Sequence, residues 1–160
     1  MAVQNYASVT GLVQNVTNVT DQCCTLEVSI VTRNGIVNMI LGPDTYVVNN
    51  LRLRKGMSVI AFYDSDAQVP LIFPPQYRSL VISHKSPQEF VDLMYFDENL
   101  VNRDNTLKLN IASSTMVTTC NGQTFSCNPG NNWLLVYYST TTRSIPAQTT
   151  PRRIIVMCLD

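Results

Sequence analysis

The sequence predicts an all-β protein, and three observations support this prediction. Only 14% of the 160 residues are charged, against roughly 25% in ordinary domains. The strand formers Val and Thr and the turn former Asn take their place, with 18, 16 and 15 copies. Short apolar or alternating runs recur along the chain with turn signals between them. With a net charge of zero, this composition argues against a disordered chain, a strongly basic nucleic-acid protein and a coiled coil.

The first half of the chain contains a series of short predicted strands. The alternating run Val9–Val19 is the first of them, and Gly11 permits a bulge or bend within it. The others are Thr25–Thr32, Ile36–Leu41, the short segment Thr45–Val48, Met57–Tyr63 and Leu80–Ser83. The pair Asn34-Gly35 predicts a hairpin between the second and third strands. A proline-punctuated loop, 67–77, precedes the last strand and is expected outside the sheet, because proline cannot donate to a ladder.

The second half of the chain echoes the first in the order of its segments. The matched pairs are Thr106–Ile111 with Thr25–Ile30, Asn121-Gly122 with Asn34-Gly35, and Trp133–Tyr138 with Ser58–Tyr63. One constant spacing then relates Ala61 to Val136 and Arg78 to Arg153, so that Ile154–Val156 falls on Ser79–Val81. Each half also has a proline-rich loop before its last strand, with Pro146 and Pro151 in the second. About five short strands per half is typical of a small OB-like Greek-key barrel. SH3-like barrels, or one β-sandwich built from both halves, remain alternatives.

We therefore predict two tandem OB-like barrels packed together. The first covers residues 1–86 and the second, shorter one covers 105–160, with an acidic linker over 87–104 between them. Five of the eleven acidic residues lie in this linker against the single cation Arg103. A short helical turn is predicted over Pro87–Met94, because proline and acidic residues favour a helix N-terminus.

The cysteine pattern is the main sequence evidence on the cellular compartment. There are five cysteines, an odd number, and no C-x-x-C spacing. We expect reduced thiols in a cytoplasmic protein, with a Cys120–Cys127 bridge as the alternative. Neither a signal peptide nor a membrane-spanning apolar run is recognisable in the sequence.

Catalytic patterns are weak throughout the sequence. His84 is the single histidine, and no nucleophile motif accompanies it. Asp64 and Asp66 read as turn residues rather than a catalytic pair, and the glycines form no phosphate-binding loop. The sequence therefore predicts a non-enzymatic protein without a cofactor or a metal site.

Binding is better supported, through aromatic, proline and arginine residues. The pairs Phe62-Tyr63 and Tyr137-Tyr138 occupy matched places, and one ring of each pair is expected to be buried. The apolar segment Leu71–Phe73 lies between prolines, where it either packs between the halves or marks a partner site. The predicted contact residues are Tyr63, Pro74, Pro75, Tyr77, Arg78, Tyr138, Arg152 and Arg153.

Several segments of the sequence resemble a family of short uncharacterised bacterial proteins. They are Gly35–Asn38, Asp44–Val48, Phe62–Asp64, Pro70–Tyr77, Asp104–Ile111 and Ser144–Pro151, within a resemblance that spans Val9–Cys158. The resemblance implies an OB-like β-barrel fold and no established activity.

The sequence thus favours a binding or structural module whose partner is another protein, including a second copy of itself. The alternative function is binding of single-stranded nucleic acid, with bases stacked on Tyr63 and Tyr138 and phosphates on Arg78 and Arg153. No membrane contact is predicted.

Overall fold

The structure, a computed structural model, describes residues 5–159 and is all-β. Within that range it contains twelve strands, one 3₁₀ turn at Val48–Asn50 and no α-helix. The chain divides into two compact units, the first ending at Lys85 and the second beginning at Ser86. Each unit has its own sheet pairings and its own apolar core.

The first unit contains six strands. They are β1 (Tyr6–Val19), β2 (Gln22–Thr32), β3 (Gly35–Leu41), β4 (Tyr46–Val47), β5 (Ser58–Asp64) and β6 (Gln76–His84). β1 pairs antiparallel with β2 and β5, β2 with β3, and β5 with β6. β3 also pairs with β6 in parallel, so the five longer strands form a continuous ring of pairings. β4 adds to β6 in parallel.

Local sequence accounts for the two sharp features of this ring. The hairpin between β2 and β3 turns at Arg33-Asn34, and Gly35 follows the turn with a φ of 113°. The Thr32 hydroxyl donates to the Gly35 carbonyl at 2.7 Å. In β1, a Cβ atom on Gly11 would lie 2.1 Å from the carbonyl oxygen of Val31. Glycine therefore lets β1 approach β2 where it changes partner from β5 to β2 near Leu12.

The core of the first unit consists of aliphatic side chains from five strands. Its buried members are Val9, Val13, Val28, Ile30, Met39, Leu41, Val59, Ala61 and Ile82. Each buried side chain of the size of valine or isoleucine contributes roughly 1.5 to 3 kcal/mol by leaving water. This core holds in place the strands that carry the candidate site.

The second unit contains the remaining six strands. They are β7 (Phe90–Phe96), β8 (Leu107–Leu109), β9 (Met116–Thr119), β10 (Asn132–Tyr138), β11 (Ala147–Thr149) and β12 (Arg153–Val156). β10 pairs antiparallel with β7 and β12, and β12 pairs with β9 in parallel. β8 and β11 pair in parallel, and the bridges Phe96↔Asn102 and Val101↔Lys108 connect β7 to β8. The core is formed by Phe96, Leu107, Leu109, Leu134, Val136, Ile154 and Val156.

The predicted helical turn over Pro87–Met94 is wrong. Pro87 and Glu89 lie in a turn closed by a bond from Glu89 N–H to the Ser86 carbonyl at 3.2 Å, but β7 begins at Phe90. Its residues pair with β10 along their whole length, and Val91 and Leu93 are buried. Burial against a neighbouring strand thus outweighs the local helix-start signal, and the stretch predicted as a linker contains a sheet strand.

The predicted alignment of the two halves agrees with the burial of one pair of strands but differs from the pairing of the last strands. Ala61 pairs with Ile82 as Val136 pairs with Ile154, so the predicted match of Ile154 with Ser79, and of Arg153 with Arg78, is displaced by three residues. Val59 and Ala61 on β5 and Leu134 and Val136 on β10 all lie in the cores, as their predicted match requires. However, Thr106–Ile111 does not correspond to β2. It carries β8, which pairs with β11 in parallel as β3 pairs with β6. Neighbouring β-strands have similar composition, so residue type alone cannot say which of them a segment matches.

An identical turn precedes β4 and β9. In the first unit, the Thr45 hydroxyl accepts from Gly42 N–H at 3.1 Å and donates to the Ser79 carbonyl at 2.8 Å. In the second, the Thr115 hydroxyl accepts from Ala112 N–H at 3.2 Å and donates to the Pro151 carbonyl at 2.7 Å. In each unit one threonine therefore fixes the turn and ties it to the chain beside it.

Candidate binding groove

The loop between β5 and β6 carries the most exposed large apolar side chains of the first unit. Leu71 is 102% and Phe73 92% exposed, while Val69 is 40% and Ile72 51% exposed. We call residues 69–75 the apolar loop. Its prolines fix φ, so ordering it against a partner costs little backbone entropy. The apolar loop is therefore a group of exposed apolar side chains that are consecutive or nearly consecutive in sequence.

Two adjoining grooves run beside the apolar loop. The larger, about 450 Å³, is lined by Val69, Pro70, Leu71, Ile72, Phe73, Pro75, Gln76 and Tyr77. The smaller, about 210 Å³, is lined by Ile40, Gln68, Val69, Pro70, Gln76, Tyr77 and Arg78. We call the smaller one the first-unit groove. Val69, Pro70, Gln76 and Tyr77 line both grooves, and Tyr77 is the aromatic side chain among them.

Tyr63 holds the Tyr77 ring from one side. The two rings stack with centroids 4.1 Å apart and planes 14° apart, and both rings pack against the core of the first unit. Burial raises the pKa of Tyr63 above its ordinary value, and the neighbouring Tyr77 adds to the increase. Both features favour a neutral, fixed aromatic floor for the grooves.

Arg78 supplies the one cation among the groove-lining residues. Its Nη2 lies 3.7 Å from Asp44 Oδ1, and the two side chains are 66% and 75% exposed. An exposed pair at this distance contributes little free energy. The guanidinium therefore remains able to exchange Asp44 for an anionic group on a ligand.

The predicted contact residues of the first unit come together in this region. Tyr77 and Arg78 line the first-unit groove, Pro75 lines the larger groove, and Tyr63 stacks on Tyr77. Pro74 follows Phe73 in the apolar loop through a cis peptide bond. The prediction that one ring of each aromatic pair is buried is confirmed: Phe62 is 4% and Tyr137 is 3% exposed.

Tyr138 has a different environment from Tyr63. Its hydroxyl donates to the Asp92 carboxylate, and its ring lies 5.5 Å from the Phe90 ring. Burial, followed by the hydrogen bond and charge of Asp92, raises the pKa of Tyr138 far above its ordinary value. Tyr138 is therefore a half-buried structural phenol rather than an open stacking platform.

The two predicted arginines of the second unit are also engaged or buried. Arg152 donates to both carboxylate oxygens of Glu89, at 2.8 and 2.9 Å, and lies over the Tyr137 ring at 5.2 Å. The hydrogen bond to Glu89 is the main cause that raises the pKa of Arg152. Arg153 is only 8% exposed. Neither presents an open phosphate-binding surface.

Sequence reasoning missed some residues that the fold brings to a surface. Ile40 and Gln68 line the first-unit groove although they lie on separate elements, so no local sequence motif predicts their proximity. In the second unit, Arg103 lies 4.9 Å from the Tyr95 ring and 5.5 Å from the Trp133 ring. The pairing of β7 with β10 creates this cluster, and β7 was not predicted.

The described residues form neither a metal-ligating cluster nor a disulfide. Over residues 5–159, no three or more His, Cys, Asp and Glu side chains gather in a way that could hold a metal ion. All five cysteines are free, so the alternative Cys120–Cys127 bridge is not formed. Burial, together with Cys158, raises the pKa of the Cys120 thiol, which disfavours a nucleophilic thiolate.

Comparisons with known proteins do not extend this description. Among the residues that the structure describes, no helix is long and apolar enough to cross a membrane. No protein-family model matches the chain, and no curated protein or solved structure shows significant similarity to it.

Proposed function

We propose that this chain is a non-enzymatic binding module whose first unit binds another protein through the apolar loop. The observation that supports this most is the almost complete exposure of Leu71 and Phe73 beside the groove that Tyr77 lines. Aromatic side chains such as Phe73 and Tyr77 are enriched at interface centres, and an exposed leucine beside them adds apolar area that a partner can bury.

We further propose that the two units are tandem copies of one OB-like barrel. The order β1-β2-β3-β6-β5 with parallel β3 and β6 supports this for the first unit. The corresponding parallel pairs β8–β11 and β9–β12 support it for the second. OB barrels bind ligands through the loop that corresponds to the apolar loop. Membership of the bacterial family named above is part of the same proposal, as is a cytoplasmic location, where free thiols stay reduced.

Selection of binding peptides tests the protein-binding proposal. Random peptides displayed on phage are selected on the wild type and on the double variant Leu71→Ser/Phe73→Ser. We expect peptides that bind the wild type and lose at least about tenfold in affinity on the variant, because both apolar anchors are removed. Ile145→Ser is the matched control, since it removes an equally exposed apolar side chain from the other unit.

Two outcomes overturn the proposal. One is the absence of any enriched peptide on the wild type, and the other is binding that the double variant retains. Sedimentation equilibrium over a range of concentrations distinguishes a second copy of this chain as the partner. In that case, the wild type self-associates and Leu71→Ser/Phe73→Ser does not.

Single-stranded nucleic acid is the second candidate ligand, and one observation favours it. Tyr77 and Arg78 line the same groove, which gives a stacking ring next to a weakly paired cation. The net charge of zero removes the broad positive field that such binding normally uses. Labelled oligo(dT) at low salt tests it: binding that Tyr77→Ala abolishes supports this candidate, and no binding excludes it.

A further inference from the structure

The second unit has a groove of its own beside β11. It measures about 270 Å³ and is lined by Asn110, Thr140, Thr141, Thr142, Gln148, Thr149 and Thr150. We call it the threonine groove. The chain between β10 and β11 forms one side of it, as the apolar loop region between β5 and β6 does for the first-unit groove.

The two grooves correspond residue by residue. Parallel pairing places Lys108 opposite Gln148 as it places Asn38 opposite Gln76. From this register, the lining residues Ile40, Gln68, Val69, Pro70, Gln76, Tyr77 and Arg78 match, in order, Asn110, Thr140, Thr141, Thr142, Gln148, Thr149 and Thr150. Only the glutamine is common to both. The same concave site is therefore built twice with different chemistry.

Hydrogen bonds tie the sides of the threonine groove to each other. Thr142 N–H donates to the Gln148 carbonyl at 2.9 Å, and Gln148 N–H donates to the Thr142 hydroxyl at 2.9 Å. The Thr149 hydroxyl donates to the Thr140 carbonyl at 2.6 Å. Asn110 Nδ2 donates to Gln148 Oε1 at 3.1 Å. These bonds fix the groove before any ligand arrives, which reduces the entropy cost of binding.

Several polar groups of the groove keep their hydrogen-bonding capacity. In the part of the chain that the structure describes, the hydroxyls of Thr140, Thr141 and Thr150 bond to no other residue. The bond between Asn110 and Gln148 uses one amide atom of each, which leaves Asn110 Oδ1 and Gln148 Nε2 for a ligand. No charged and no aromatic side chain lines the groove.

We propose that the threonine groove binds a neutral saccharide. Hydroxyl and amide groups pair with sugar hydroxyls as both donors and acceptors, and threonine methyl groups can contact the C–H face of a sugar ring. The lining offers no cation for a phosphate and no ring for a nucleobase, which the first-unit groove does offer. This inference does not depend on protein binding by the apolar loop.

NMR titration of the full chain tests this proposal. Cellotetraose, maltotetraose and the tetramer of N-acetylglucosamine are added separately to ¹⁵N-labelled protein. With at least one of them, we expect saturable shifts at Asn110 and Thr140–Thr142, and the same shifts identify the sugar class. Thr150→Val keeps the shape of the side chain but removes its hydroxyl, and should weaken binding about fivefold to tenfold.

Two controls keep the result specific. Tyr77→Ala changes the first-unit position that matches Thr149, next to Thr150, and should leave saccharide binding unchanged, although it weakens binding of a selected peptide. Oligo(dT) should not shift the threonine-groove resonances. The proposal is overturned if none of the three saccharides shifts these resonances at millimolar concentration, or if Thr150→Val and Asn110→Leu both bind as tightly as the wild type.

Discussion

The two units connect their first strands to the rest of the sheet in different ways. In the first unit, β1 and β2 continue as a long hairpin from Leu12↔Val31 to Val19↔Gln22. In the second, a tight turn replaces this hairpin, and the Asp97 carboxylate accepts N–H bonds from Asn99 and Val101 at 2.9 and 3.0 Å. Either connection leads the chain into the next paired strand. The outer part of the β1–β2 hairpin therefore adds surface to the first unit that the tight turn does not add to the second.

The two units share hydrogen bonds that position their strands but differ in the side chains that line their grooves. The threonine turns at Thr45 and Thr115 have the same bonds in both units, whereas the groove linings share only a glutamine. Bonds that position strands are thus repeated, and side chains that face a ligand differ.

The largest expected loss of stability comes from substituting Gly11, where β1 approaches the Val31 carbonyl of β2. Gly11→Ala should destabilise the protein by more than about 3 kcal/mol, because its Cβ atom would lie 2.1 Å from the Val31 carbonyl oxygen and backbone must move. Gly56→Ala is the control, because a Cβ atom there meets nothing within 4 Å. Only the φ of +92° is unfavourable for alanine, so the free energy of unfolding should fall by about 1 to 2 kcal/mol. Urea unfolding followed by circular dichroism measures both. Equal losses would contradict the steric explanation.

The next largest expected difference in stability is between phenylalanine substitutions at Tyr138 and Tyr63. Tyr138→Phe leaves the Asp92 carboxylate without its phenol donor, and should cost about 2 kcal/mol, as expected for a bond to a charged group. Tyr63→Phe keeps the ring stack on Tyr77 and should cost less than about 1 kcal/mol. The same unfolding measurement compares them. A loss for Tyr63→Phe that equals the loss for Tyr138→Phe would show that the two positions are energetically alike.

Alkaline pH extends the tyrosine comparison. The pKa of Tyr138 is raised in the folded chain, so its contribution to stability is complete below the ordinary tyrosine pKa of about 10 and declines as the pH rises above that value. The unfolded chain then releases a proton that the folded chain retains. Because solvent screens a half-exposed group, the loss by pH 11 should be at most about 1 kcal/mol. Urea titrations at pH 9 and pH 11 should show a smaller pH effect for Tyr138→Phe than for the wild type, and an unchanged effect contradicts this assignment.

Particular residues show how far the sequence predicts this molecule. Asn34-Gly35 predicted the hairpin of the first unit because the positive φ of Gly35 is a local backbone requirement, whereas the need for glycine at position 11 comes from the distant Val31 carbonyl. β7 could not be predicted from Pro87 and its acidic neighbours, since its conformation depends on β10, which lies far away in sequence. The grooves could not be predicted either, because Ile40 and Asn110 reach them only through parallel pairing of separate strands. Matching segments by residue type also missed the threonine turn, whose signal is a single hydroxyl.

The smallest expected effect compares the ion pairs of the two units. Arg152 and Glu89 form a two-point pair with Glu89 only 17% exposed, so Glu89→Gln should cost about 0.5 to 1 kcal/mol. Arg78 and Asp44 are separated by 3.7 Å and both exposed, so Asp44→Asn should cost less than about 0.3 kcal/mol. Urea unfolding at low and high salt measures the difference, and salt should reduce the Glu89→Gln effect only partly, since a partly buried pair is screened less than an exposed one. If Asp44→Asn costs as much as Glu89→Gln, then Arg78 is held more firmly than its exposure indicates, and it is less able to exchange Asp44 for a ligand at the first-unit groove.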